Sequence, residues 1–489
     1  MSYVFARAKF LYPLSKKLGL SKCIEDGYVL SQGRSIIEVG KYTENIGKTI
    51  LKKYSHNLKI IGINYKSSYS INDLVKHNGV LMPGFVKAHG HDHESPIIGL
   101  AKNEPLTEWL DHAVNVFTGF MNEKREELFK IFGKSPEFIT YLKARVDDIY
   151  YGITSSLVHH CNYSKYRLKE IVDANKIAGT TMIVAVGSQD RNYDKRVLDK
   201  PEQAVKRLDE YLEKFGAEKR FSIVPGPDQD FSNGPKILKL LKKWADKHKT
   251  FIHCHSCEEP NTTKWFTETY KMTPVEYFDS IGFLDENTIL AHQVNSTDND
   301  LEILLKTKTK IVHNPLANTI LGSGMPPIIK MMAMGIPVAI STDGSGSADN
   351  QNILIAAKMA SAYQKAYLKD ARVLPAQQLM EMITVVPAEF LRLNSGSLEK
   401  EKDADFIIID LTKPNLTPSR IDNFVSNLIF ASNGDEIKDV VANGIVLKEN
   451  YQFKTIDVEA VLREVQLLSE LMINYKKTVK EIRGTGAHR

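Results

Sequence analysis

Between residues 80 and 340 the chain repeats one texture. Short runs of apolar and β-branched residues alternate with longer stretches at helical spacing. The runs are Val80–Val86, Thr154–His159, Thr181–Val186, Phe221–Val224, Thr250–His253, Thr288–Ala291, Lys310–Val312 and Pro337–Ile340. Stretches between them, such as Pro201–Phe215 and Pro235–His248, are amphipathic. Strands that alternate with helices pair in parallel and build βαβ units. Eight such runs predict an α/β fold of the (β/α)8 type, a TIM barrel. An open doubly wound sheet shares the alternation but carries a glycine-rich loop after its first strand. Here the first run leads into His89-Gly90-His91 instead.

The flanks read differently. Glu25–Leu30 and Gly33–Gly40 look like two strands joined by a polar turn, and Ala404–Asp410 and Asp439–Leu447 are strand-like again. Similar texture on both sides of the barrel predicts a small β-sandwich domain made from both chain ends, residues 1–82 with 396–455, around a barrel of residues 83–395. The first 24 residues carry Arg7, Lys9, Lys16 and Lys17 but no acid, as a transit peptide would. The preferred reading is a first strand over YVFARAKFLY that ends at a Pro13 turn. In the tail, residues 456–489, Val458, Val461, Leu462, Val465, Leu468 and Met472 predict one amphipathic helix, packed on the body or on a partner.

Composition excludes several function classes. The 64 basic and 59 acidic residues leave a net charge of only +5 over 489 residues, without the clustering that nucleic-acid binding needs. No run of apolar residues reaches the ~18 that suggest a membrane span. The four cysteines, Cys23, Cys161, Cys254 and Cys257, are too few for a disulfide scaffold and point to a reduced, cytoplasmic setting.

In such a barrel the catalytic groups project from the C-terminal ends of the strands. The runs lead into His89 and His91, His159 and His160, His253 and His255, His292, His313, and Asp343. Eight of the 14 histidines thus fall at predicted strand ends, where random placement would scatter them. His89 and His91 are two apart, so on an extended strand both imidazoles point to one side. They make a natural half of a metal site, and His255 and Asp343 can supply the other half. A divalent ion there lowers the pKa of a bound water to about 7.

His253 shares a face with His255 and either ligates too or lies one layer deeper. Cys254 and Cys257 are taken as packing residues, because no second CxxC follows. Glu258 either carries a proton beside the metal or is a helix N-terminal acid.

Pro83-Gly84-Phe85-Val86-Lys87-Ala88-His89-Gly90-His91 resembles the signature of the amidohydrolase superfamily. His255-x-x-Glu258, Ala291-His292, Val312–Asn318 (VHNPLAN) and Ser341-Thr342-Asp343-Gly344 follow in that superfamily's order. Together they resemble its aminohydrolase branch, which includes adenosylhomocysteine, guanine, cytosine and triazine deaminases and chlorohydrolases. The resemblance implies one divalent metal, zinc or iron, on His89, His91, His255 and Asp343. Asp343 would also accept the proton of the attacking water, Glu258 would protonate the ring nitrogen, and His292 would orient substrate and water. The candidate substrate contacts are Trp109, His93 and Asn318.

The sequence departs from the branch pattern in places. Ile98-Gly99 replaces an Arg-Gly, Thr118 stands where a ribose-binding acid is expected, and Val224–Gln229 lacks a histidine common after the fourth strand. These departures argue against a nucleoside. The triplet Asp92-His93-Glu94 is unusual, and either lines the pocket or is solvated loop.

The expected function is hydrolytic deamination of an amino-substituted nitrogen heterocycle such as a pterin, purine, pyrimidine or triazine. Its rivals are a chlorohydrolase or amide hydrolase with the same site, and a catalytically silent scaffold relative. A small heterocycle is the expected partner, with neither nucleic acid nor membrane, and the family resemblance implies a homo-oligomer, a dimer or larger.

Overall fold

The computed structural model describes residues 2–100, 103–160 and 163–486. Five strands come first: β1 Tyr3–Leu11, β2 Ile24–Gln32, β3 Ser35–Lys41, β4 Leu58–Ile60 and β5 His77–Pro83. Eight follow: β6 Phe85–Lys87, β7 Ile153–His160, β8 Thr181–Ser188, β9 Phe221–Pro227, β10 Ile252–Ser256, β11 Thr288–His292, β12 Lys310–His313 and β13 Val338–Ile340. Four more, β14 Phe406–Asp410, β15 Ile437–Ala442, β16 Ile445–Glu449 and β17 Gln452–Phe453, precede a last helix, Val458–Gly486.

Strands β1–β5 and β14–β17 form one nine-stranded sheet. The chain ends meet at β5, which pairs with β1 in parallel and with β14 antiparallel, Phe406 opposite Pro83 and Asp410 opposite Gly79. Along β14 the side chains alternate between two apolar clusters. Phe406 and Ile408 join Val4, Ala6, Val29 and Leu81, while Ile407 and Ile409 pack into the main core. That two-sided burial explains the unbroken Phe-Ile-Ile-Ile run.

The barrel strands form two parallel four-stranded sheets, β6-β7-β8-β9 and β10-β11-β12-β13. At the β9/β10 seam the His255 N–H donates to the Asp228 carbonyl at 3.0 Å. At the β13/β6 seam one hydroxyl does the work of a ladder. Ser341 Oγ accepts from the His89 N–H at 3.1 Å and donates to the His89 carbonyl at 2.6 Å. Val86, Ala88, Leu157, Ile183, Ala185, Val224, Ile289, Val312 and Ala339 cluster inside as a packed core. The chain forms an α/β fold of the expected (β/α)8 type, its barrel strands in two four-stranded sheets, and the chain ends, expected as a β-sandwich, form one nine-stranded sheet.

Two expected strands divide. The run Val80–Val86 splits at Gly84: β5 ends at Pro83 in the outer sheet, and β6 starts at Phe85 in the barrel. A Cβ on Gly84 would lie 2.3 Å from Thr154 Cγ2, so only glycine lets the chain cross so near β7. The run Asp439–Leu447 is a hairpin, β15 and β16, because Asn443 (φ 51°) and Gly444 (φ 73°) both take the left-handed conformation that tight hairpin turns require.

The basic N-terminal stretch contains strand β1. In the last helix Val461, Val465, Leu468 and Met472 are buried, whereas Leu462 is 46% exposed and faces outward. Leu468 and Met472 pack with Trp109, Phe117 and Phe120, and Tyr475 Oη donates to Glu123 Oε2 at 2.8 Å. The helix thus braces the segment that carries Trp109. Among the described residues no helix is long and apolar enough to cross a membrane.

Candidate active site

The barrel strands deliver their polar ends to one mouth. His89 and His91 follow β6, His255 lies in β10, His292 ends β11 and Asp343 follows β13. All five are buried. Single ligand atoms of His89, His91 and His255 lie within 4.8 Å of one another, as do those of His89, His292 and Asp343.

Each of the three histidines is oriented from behind. The His91 Nδ1–H donates to the His159 carbonyl at 2.8 Å, and the His255 Nδ1–H to the Asp228 carbonyl at 2.6 Å. The His89 Nδ1–H donates to His253 Nε2 at 2.7 Å, and His253 Nδ1–H passes the chain on to the Ile289 carbonyl at 3.1 Å. His253 therefore lies one layer below, with both ring nitrogens engaged. With every Nδ1 a donor, the Nε2 atoms of His89, His91 and His255 carry lone pairs toward a common centre. His91 Nε2 and His255 Nε2 are only 3.0 Å apart, and buried His89 Nε2 has no hydrogen-bond partner. Asp343 Oδ1 approaches at 3.2 Å from His89 Nε2 and 3.4 Å from His91 Nε2. Burial holds the His89 and His255 imidazoles well below the usual histidine range, and lowers His91 as well. Neutral imidazoles with converging lone pairs repel one another unless a cation sits among them, and three nitrogens with a carboxylate suit a borderline divalent ion.

Glu258 and His292 stand beside this centre. Glu258 Oε2 is 3.6 Å from His292 Nε2 and accepts from Gln229 Nε2 at 3.1 Å. Burial pushes the Glu258 carboxyl up to about 7. His292 Nε2 also lies 3.7 Å from Asp343 Oδ2, and its Nδ1–H donates to Asn318 Oδ1 at 2.9 Å. His292 (φ 76°) and Asp343 (φ 66°) both hold positive backbone angles, a strain that non-glycine residues sustain where function fixes their placement.

A narrow cleft opens over the centre and is walled by Trp109, Glu94, Glu258, His292 and Asp343 among others. Of the expected substrate contacts, Trp109 lines it and donates its indole N–H to the Gly346 carbonyl at 3.2 Å. Asn318 stands behind His292, and His93 is buried beside His91, their ring centroids 5.4 Å apart.

Three further features surround the site, of which only His159 was expected at a strand end. Gln229 bonds Glu258, His159 packs at 4.7 Å ring-to-ring against His255, and a closed ion network lies under the histidine pair. In it Lys87 Nζ is 2.8 Å from Asp148 Oδ1 and 3.3 Å from Asp92 Oδ1, while Arg145 pairs with both acids. Lys87 is two before His89, so strand alternation could have flagged it. Asp148 and Arg145 come from a helix 53 or more residues later, and no spacing rule connects them.

The model of the amidohydrolase family matches residues 80–447. A 5-methylthioadenosine/S-adenosylhomocysteine deaminase of Thermococcus sibiricus is 29% identical over 434 residues, 88% of this chain and 94% of that protein. A 5'-deoxyadenosine deaminase of Methanosphaera stadtmanae is 29% identical over 395 residues, 80% of this chain and 88% of that protein. The solved structure of an adenosine deaminase from Xanthomonas campestris with bound zinc shares the fold, with a TM-score of 0.79 at 18% identity, covering 96% of this chain and 98% of that one. The chain belongs to the amidohydrolase family.

Proposed function

We propose that the protein is a metal-dependent aminohydrolase. It exchanges the amino group of an amino-substituted nitrogen heterocycle, a purine, pterin, pyrimidine or triazine, for oxygen, consuming one water and releasing one ammonia. The carrying observation is the pair of facing Nε2 atoms of His91 and His255, 3.0 Å apart with no proton to share. His89, His91, His255 and Asp343 would hold one divalent ion, zinc in the first place and iron in the second. Bound there, the ion supplies Lewis acidity that lets water ionise near neutral pH.

The chain's own groups complete the reaction. Asp343 Oδ2, on the His292 side, accepts a proton from the attacking water. Glu258, protonated near neutrality, gives a proton to the ring nitrogen next to the carbon under attack. Carbon–nitrogen cleavage then needs a proton on the departing amine, which Glu258 can relay from Asp343. His292, fixed by Asn318, orients the water and the substrate between those two carboxyls. Trp109 closes the cleft and excludes solvent.

The relatives named as nucleoside deaminases support this reaction class. We place the enzyme in the cytoplasm as a homo-oligomer, a reading that size-exclusion chromatography with light scattering checks. A coupled ammonia assay over aminopurines, nucleosides, pterins, aminopyrimidines and triazines, with the bound metal identified by elemental analysis, tests the activity. Ammonia release from one class is expected. Chloride release from a chlorotriazine with no ammonia from any compound overturns the proposal.

A further inference from the structure

The turn after the histidine pair, Asp92–Glu94, buries all three of its side chains. Charged residues are seldom enclosed unless something binds them. Asp92 has its answer in Lys87 and Arg145. Ser95, next in line, anchors the turn by donating to the Thr140 carbonyl at 2.7 Å. The turn is therefore rigid, and Glu94 leaves it in a defined direction.

Glu94 is held by one oxygen. Its Oε2 accepts from the Gly346 N–H and the Ser347 N–H, each at 3.0 Å, and from Ser347 Oγ at 3.1 Å. A Cβ on Gly344 would fall 1.9 Å from that oxygen, so the missing side chain lets the loop after Asp343 close on the carboxyl. Oε1 receives no hydrogen bond among the described residues, and Glu94 walls the cleft that Trp109, Glu258 and Asp343 also line. Oε1 is not fully enclosed and opens on the cleft that Glu94 lines, where a donor on a bound molecule can reach it. Here three donors fix one oxygen and none meets the other.

We propose that Glu94 is a specificity-determining residue whose Oε1 accepts a hydrogen bond from an N–H or O–H of the substrate. The enzyme then selects heterocycles that present a donor on the side facing Glu94. This rests on the aminohydrolase reading of the cleft. The donor has two possible sources, a ring or exocyclic amine and a sugar hydroxyl, and matched pairs of compounds separate them.

The test is steady-state deamination by the metal-loaded enzyme and its Glu94→Gln variant. One pair is 2,6-diaminopurine and adenine, which differ by an amine; the other is adenosine and 2',3'-dideoxyadenosine, which differ by hydroxyls. Gln keeps the side-chain shape but turns a donor amide toward the cleft. The wild-type preference for the donor-bearing member of one pair should shrink by about 10- to 100-fold, chiefly through KM. The pair that responds identifies the source. Preference ratios equal to wild type in both pairs overturn the proposal.

Melting-temperature shifts with the same four compounds read binding without turnover. If the wild type deaminates none of them, the aminohydrolase reading loses these substrates. A ligand shift that disappears in Glu94→Gln still upholds the role of Glu94, and shifts identical in both proteins refute it. Glu94→Asp, which withdraws the carboxyl by one methylene, gives the same readout if the Gln variant does not fold.

Discussion

The Nδ1 of His89 lies 2.7 Å from the Nε2 of His253, one strand layer deeper in the barrel. That contact makes His253 the residue that decides which nitrogen of His89 faces the site. His253→Ala leaves the His89 N–H without an acceptor and frees the ring to take the other tautomer. Loss of such an outer partner typically costs about 10- to 100-fold in metal affinity. Competition with a chelator should show that loss, and an unchanged affinity would remove His253 from the site.

Glu258→Gln keeps the side-chain volume and removes the transferable proton. Ammonia release should fall by about 100- to 10,000-fold, the usual contribution of general acid–base catalysis. Elemental analysis should find the metal retained, because Glu258 is not among its holders. Full activity in this variant would end the proton-donor role.

The pH profile follows from the same group. Glu258 acts while it holds a proton, and its carboxyl is raised to about 7. A raised carboxyl is protonated below that value and ionised above it, so kcat/KM should decline as pH rises through about 7. On the acid side, burial lowers His89, His91 and His255 below the ordinary value of about 6.5, so they stay neutral and keep their ion to lower pH. The acid limb should therefore begin under about pH 6.5. Activity that stays flat down to about pH 4 would contradict the metal assignment, since protonated imidazoles release metal.

Asn318→Ala removes the oxygen that fixes the His292 ring. We expect kcat to drop by about tenfold or more with a smaller change in KM, because His292 is displaced from both carboxyls while Trp109 and Glu94 keep their places in the cleft wall. Equal losses in kcat and KM, or a change in KM alone, would point to a contact with substrate instead.

Lys87→Met strips one cation from a closed buried network and leaves Asp92 and Asp148 undercompensated. Breaking a buried pair on one side costs about 3–5 kcal/mol. Urea unfolding should register that loss, and a change below about 1 kcal/mol would mean that Arg145 alone satisfies both acids.

The strand ends were legible because barrels put chemistry there, and His89, His91, His255, His292 and Asp343 do meet at one mouth. The split of Val80–Val86 was not. An apolar run carries the same signal whether it lies in one sheet or two, and only the crossing at Gly84 over Thr154 divides it. Thr118 stood where an acid was expected and is buried in a helix without lining the cleft, while Glu94, left open as pocket or solvated loop, lines it.

Local spacing along the chain determined the repeating strands and helices, the face shared by His89 and His91, and the order of the polar strand ends, because each depends on residues a few positions apart. Tertiary structure alone decided that His253 sits behind His89, that Lys87 and Arg145 share two buried acids, and that Glu94 is anchored by the loop after Asp343. The contacts that close these arrangements, Arg145 to Asp92, Lys87 to Asp148, His89 to His253 and Glu94 to Gly346, join residues 53, 61, 164 and 252 apart. Their partners are chosen by the closing of the barrel, which no local pattern encodes.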